Sequence, residues 1–199
     1  MTDIVAQLNQ AHREVTGRSV VVRREFDTPI EDVWSACTDA ERISRWFLPV
    51  SGDLRLGGRY QLEGNAGGEI LLCEPPRLLR VSWEFGDMPA SAVEVRLTPA
   101  GSGSVFELEH AGIVEQAMWA QFGPGAVGVG WDGALLGLAI HLSGESWEKP
   151  DDWERSPAAV EFMTRSAQAW GVAHEKSGAT SDEVAEGVRN TITAYVGPH

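Results

Sequence analysis

Five histidines are the side chains best able to move a proton near neutral pH in this chain: His12, His110, His141, His174 and His199. They are scattered, and none pairs with a second His, a Cys or a carboxylate cluster at zinc-ligand spacing, so no metal centre is expected. Cys37 and Cys73 lie in apolar patterns without the spacing of a metal knuckle or a redox pair and read as reduced core thiols. There is no Gly-x-Ser-x-Gly elbow and no Ser, His and Asp set that nominates a nucleophile, so no catalytic residue is assigned. His110 stands apart. In SVFELEH the alternation puts Phe106, Leu108 and His110 on one face, bringing an imidazole to the end of an apolar strand. There it could contact a ligand, shuttle a proton, or serve as a hydrogen-bonded structural group.

Gly123-Pro124-Gly125-Ala126-Val127-Gly128 has dinucleotide-loop spacing and precedes a helix. That fingerprint works only where a strand delivers the turn inside a βαβ unit, and the preceding chain reads as antiparallel. No cofactor is expected. Aromatic surface is abundant instead, with eight tryptophans. Trp46, Phe47, Trp83 and Phe85 come early, and Trp119, Phe122 and Trp131 follow, with Leu135 one helical turn beyond Trp131. Apolar pockets with a few polar anchors are how small ligands are usually held. Arg59 and Glu107 have parity opposite to apolar neighbours and read as an outer, solvated face.

The elements that must position these residues follow from periodicity. Ile4, Val5, Leu8, Ala11, His12 and Val15 recur at helical spacing, so residues 1–17 are expected as an N-terminal helix ended by Gly17. SVVVRREF is the first strand, with Val20, Val22, Arg24 and Phe26 on one face. Thr28-Pro29-Ile30-Glu31 predicts a capped helix start, and AERISRWF a second short helix after Asp39. DLRL, RYQLEG, GGEILLCE, RLLRVSWEF, SAVEVRLT and SVFELEH then read as an antiparallel meander, followed by a loop holding Trp119 and Phe122. GPGAVGVGWDGALLGLAIHLSG is a long helix, apolar on most sides, whose glycines suggest close backbone approach, with Gly133 and Gly137 as a contact groove. After a polar stretch, Ser156-Pro157 and the Thr180/Glu183 capping box open two amphipathic helices. Their stripes of Phe162, Met163, Trp170, Val188, Ile192 and Tyr195 must dock on the sheet domain, on the N-terminal helix or on a second copy.

The chain has 199 residues, 43% hydrophobic, and a formal charge of -13. Such a charge disfavours nucleic acid and anionic membrane surfaces as partners. The N-terminus has no basic start and no apolar run, and no stretch of about 18 apolar residues occurs, so a cytoplasmic protein is expected.

Thr28-Pro29, Val33-Trp34, Trp46-Phe47, Gly57-Gly58, the ELEHAGI segment and Gly130-Trp131 carry a resemblance to the START-like, or SRPBCC, helix-grip superfamily. The likeness is to bacterial homologues of the activator of heat-shock-protein-90 ATPase, also called polyketide cyclase-like. It implies an α+β fold, a curved antiparallel sheet of six or seven strands around a long helix, over residues 18–145, with 146–199 as a helical extension. It also implies a cavity that in relatives takes lipids or polyketides, while some relatives are cochaperones and a few are cyclases or hydrolases. The leading expectation is a binding protein for a small apolar or aromatic molecule, with no cofactor. The expected ligand-binding residues are Trp46, Phe47, Trp83, Phe85, Phe106, His110, Trp119, Phe122, Trp131 and Leu135. An enzyme using His110, a cochaperone, and a homodimer through the C-terminal helices are the alternatives.

Overall fold

The computed structural model describes residues 3–112, 116–145 and 153–197. Ile113 of the ELEHAGI segment and His199 lie outside them. The fold is α+β. Eight antiparallel strands run in the order β1-β2-β8-β7-β6-β5-β4-β3. They are β1 (His12–Thr16), β2 (Ser19–Phe26), β3 (Val50–Gly52) and β4 (Arg59–Leu62), then β5 (Gly67–Glu74), β6 (Leu78–Trp83), β7 (Ser91–Ala100) and β8 (Gly103–Ala111). Helices α1 (Ile4–Asn9), α2 (Ile30–Thr38), α3 (Ala40–Ile43) and α4 (Gln116–Phe122) are short. The long ones are α5 (Gly125–Leu142), α6 (Pro157–Lys176) and α7 (Ser181–Val196). The inner face of the sheet and α5 enclose the main core, in which Val20, Val22, Leu97 and Leu138 are almost wholly buried.

Five sequence expectations change. Residues 12–16 are not helical, because they pair with β2 from Thr16↔Ser19 to His12↔Arg23. Gly17, at φ 58, starts a two-residue hairpin turn instead of capping a helix, and Val15 is buried under either periodicity. Thr28 caps nothing: Pro29 holds the cap position of α2 with no side-chain bond, and the Thr28 carbonyl accepts from Ser104 Oγ. AERISRWF stops as a helix at Ile43, although Asp39 caps it as its position suggests. DLRL is a bend, not a strand. The loop folds back so closely that a Cβ on Gly58 would lie 2.1 Å from the Asp53 carbonyl oxygen, so the hydrogen side chain is required there. The segment holding Trp119 and Phe122 is the helix α4.

The C-terminal helices dock on the chain's own core. Phe162 and Trp170 are 4% and 0% exposed, against α5, β1 and α1. The stripe that motivated a dimer is thus largely covered within one chain. The glycines of α5 explain how: a Cβ on Gly128 would fall 2.3 Å from the Trp170 ring, and one on Gly125 2.4 Å from Thr191 Oγ1. Gly137 meets the Trp46 carbonyl, while Gly133 faces open space, so the expected Gly133/Gly137 groove is only half used. Gly123–Gly128 is therefore a packing surface for α6 and α7.

One polar group anchors this arrangement. Asp132 is 3% exposed, and its carboxylate accepts from Arg13 Nε at 2.9 Å, from Trp170 Nε1 at 3.0 Å and from Ser166 Oγ. Arg13 spends its other nitrogens on the Ala11 and Leu8 carbonyls. Removing one member of a buried ion pair leaves an uncompensated charge and costs about 3–5 kcal/mol. Asp132→Ala is therefore expected to lower the unfolding free energy by about that amount in urea denaturation at pH 7. A loss below about 1 kcal/mol would show that the cluster does not hold the extension in place.

Candidate functional site

Strand parity builds the cavity wall. Leu79, Val81 and Trp83 of β6 share one face, and Val93 and Val95 of β7 and Phe106 and Leu108 of β8 continue it. Opposite them, Trp34 and Cys37 project from α2 and Trp46 and Phe47 follow α3, enclosing an inner chamber of about 360 Å³. Phe47, Trp83 and Trp131 also wall an outer chamber of about 410 Å³. Trp131 contacts both other rings: Trp83 and Trp131 centroids lie 5.1 Å apart and those of Phe47 and Trp131 6.3 Å. The outer chamber is completed by the turn after β6 (Phe85, Met88), by Ser91 and His110, and by Tyr195 of α7. Beyond Trp46 and Phe47 a wider groove of about 790 Å³, mixed in character, runs past Gly133 and Arg155.

Of the ten expected residues, seven line these two chambers. Trp46 and Phe106 face the inner one, Phe85 and His110 the outer one, and Phe47, Trp83 and Trp131 both. Phe85 is 45% exposed at the turn, beyond the end of β6. The other three lie elsewhere. Trp119 packs edge-on against His174, Phe122 lies between α5 and α7, and Leu135 is core beneath β2. The resemblance groups them with the cavity, but α4 turns Trp119 and Phe122 toward the C-terminal helices, and Leu135 on α5 faces β2. Arg59 and Glu107 are on the outer face as expected, paired with Glu84 and with Arg23 and Arg96.

Ser91 and Tyr195 were missed as site residues. Ser91 shares the inward parity of Val93 and Val95 in SAVEVRLT, a signal the sequence does carry. Tyr195 reaches the cavity only because α7 folds back, its hydroxyl donating to the Ala126 carbonyl at 2.8 Å.

The hydrogen bonds of His110 define its state. Trp131 Nε1 is 3.1 Å from His110 Nδ1. An indole N–H can only donate, so Nδ1 accepts and the neutral ring carries its proton on Nε2. Nε2 then donates to Ser91 Oγ at 2.7 Å, and the Ser91 hydroxyl donates to the Trp83 carbonyl at 3.3 Å. In this order Nε2 cannot accept the serine proton, so Ser91 and His110 are not a nucleophile and base. Burial pushes the imidazole down to about 4. Inside the inner chamber burial likewise pushes the Cys37 thiol up to about 12, against a smaller opposing effect of Arg42, which leaves it a poor nucleophile.

This predicts a pH dependence. The folded value of His110 lies below the ordinary 6.5, so the unfolded chain takes up a proton as pH falls through 6.5 and the folded chain does so only near 4. The stability contributed by neutral His110 is complete above that window and is lost as pH drops from 6.5 toward 4. Imidazole ¹H–¹⁵N NMR at about pH 5 is expected to show His110 as the neutral Nε2–H tautomer. A doubly protonated ring at that pH would contradict the bonding order above.

Residues 27–143 match the model of the family described as Activator of Hsp90 ATPase homolog 1-like protein. The crystal structure of CalU16 from Micromonospora echinospora is 41% identical, with 82% of this chain and 94% of that chain covered and a TM-score of 0.67. MLL2253 from Mesorhizobium loti is 25% identical over 64% of this chain and 98% of that one, with a TM-score of 0.57. DynU16, described as a protein in the dynemicin biosynthetic locus, shares the fold at 23% identity, 67% and 52% coverage and a TM-score of 0.56. No curated protein matches the sequence. The CalU16 match covers more of the chain than the family segment does, so part of that likeness lies outside the helix-grip domain. The chain belongs to the family of activator of Hsp90 ATPase homolog 1-like proteins, of the START-like helix-grip type.

Proposed function

We propose that the protein binds a small apolar or aromatic molecule in the paired chambers between the sheet and α5. The observation that carries this reading is the wall itself. Phe47, Trp83 and Trp131 divide two chambers, and among the described residues no Asp, Glu, Lys or Arg lines either one. Sites of a few hundred cubic ångströms with apolar walls and few polar groups suit drug-sized ligands. The family supports a ligand-binding or cyclase-like domain. Catalysis by His110 as general base draws no support from the geometry, because both ring nitrogens are already engaged.

Two of the eight tryptophans, Trp83 and Trp131, wall both chambers, so an occupant should quench their fluorescence. Anthraquinone, flavone and long-chain alcohols serve as probes. At least one is expected to quench, to raise Tm and to bind at one per chain. Val81→Trp, which fills the inner chamber from β6, is expected to weaken that binding by about tenfold or more. No quenching and no thermal shift across the panel would overturn the proposal.

A further inference from the structure

The two chambers differ in what they offer a polar atom. In the inner one, Thr38 Oγ1 donates to the Trp34 carbonyl at 2.8 Å, the Tyr60 hydroxyl to the Ser82 carbonyl at 2.8 Å, and Trp46 Nε1 to the Ala36 carbonyl at 3.0 Å. These donors are spent on the backbone, which leaves the inner chamber the indole N–H groups of Trp34 and Trp83, donors without acceptor capacity, and the weakly donating Cys37 and Cys73 thiols. No group there can both donate and accept, so a ligand hydroxyl placed in it would lose part of its hydration without replacement.

The outer chamber holds one adaptable group. Tyr195 donates its proton to Ala126 and keeps only acceptor capacity, the Trp83 indole can only donate, and His110 has both nitrogens occupied. Asn65 is at the exposed rim, its Oδ1 already accepting from the Ala66 amide at 2.7 Å. Ser91 is half-buried, receives the Nε2–H of His110, and holds the Trp83 carbonyl only at 3.3 Å, past the usual range for an O–H donor. A hydroxyl has one proton and two acceptor sites. Turning its proton from Trp83 lets Ser91 donate to a ligand carbonyl, and keeping it there leaves a lone pair for a ligand hydroxyl. The His110 bond stands in either case. Among the described residues no cation lines either chamber, so a carboxylate or phosphate would be desolvated without compensation.

We infer that the occupant is electrically neutral, with an apolar ring body in the inner chamber and a carbonyl or phenolic hydroxyl in the outer one, and that Ser91 is the residue that selects this polar group. The inference rests on the ligand-binding reading above and narrows its ligand class. It excludes free fatty acids and aromatic acids as preferred ligands. Trp131 and His110 act through Ser91 as positioning residues, holding the donor that fixes its oxygen.

The test uses four naphthalenes that share one body: naphthalene, 2-acetylnaphthalene, 2-naphthol and 2-naphthoate, titrated calorimetrically at about pH 7.5, where only naphthoate is charged. The ketone and the phenol are expected to bind about fivefold tighter than naphthalene, and naphthoate about tenfold or more weaker than the ketone. Ser91→Ala is expected to abolish the advantage of ketone and phenol while leaving naphthalene within about twofold. Ser91→Cys, nearly isosteric and a weaker hydrogen-bonding group, replaces it if the alanine variant does not fold. Naphthalene binding combined with equal or tighter naphthoate binding, or with a ketone preference that survives loss of the hydroxyl, would overturn the inference and leave the ligand-binding reading intact. Failure of all four compounds to bind would overturn both.

Discussion

A single carboxylate in the middle of an apolar helix organises this molecule. Asp132 sits on α5 with Arg13 of β1 and with Ser166 and Trp170 of α6 directed at its oxygens. Such a cluster is expensive to desolvate and adds little net stability over an apolar substitute, but its donors admit few alternative geometries. It ties the edge hairpin and the C-terminal extension to the helix that closes the cavity. Trp131 is the next residue back, about 100° around the helix, and turns away from the cluster toward His110. The ionic cluster on one side of α5 therefore helps set the position of the ring that divides the chambers on the other.

A second buried cation shows the same preference for fixed partners. Arg24 on β2 is 7% exposed, capped by the side-chain oxygens of Gln7 and Gln10 and stacked over Phe26 with its charge 5.1 Å from the ring centroid. Burial lowers its pKa, and its Nε has no partner. Together Arg13 and Arg24 explain why the short helix α1 lies where it does: its C-terminal carbonyls and glutamines face two guanidinium groups. The acidic surface, at a formal charge of -13, and the uncharged chambers are thus separate features. Among the described residues, the buried charged side chains of Arg13, Arg24 and Asp132 line neither chamber.

The close approach of helices to α5 is a matter of missing side chains. Gly125 and Gly128 admit Thr191 and Trp170, while Gly171 of α6 lies so near α7 that a Cβ there would be 2.5 Å from Val188 Cγ2. Each glycine weakens its helix by roughly 1 kcal/mol relative to alanine, a local cost offset by burial of an entire tryptophan. Bringing α7 this close is what places Tyr195 in the wall of the outer chamber.

The parity of β2, β6 and β8, the capping box at Thr180 and Glu183, and the apolar character of α5 were all legible in the sequence, as was the inward direction of His110. These depend on backbone periods of 2 and 3.6 and on hydrogen bonds within a few residues, which local order determines. Residues 12–16 misled because Val15 is inward in either period, so only pairing with β2 could choose. The docking of α6 and α7 on their own chain, the bonding order from Trp131 through His110 to Ser91, and the departure of Trp119 and Phe122 from the cavity were decided by the tertiary structure alone. Each rests on partners some 20 to 120 residues apart in the chain, such as Trp131 with His110 and Arg13 with Asp132. Which donor meets which acceptor across such a distance is set by how the layers pack, and a local pattern of residues carries no record of that.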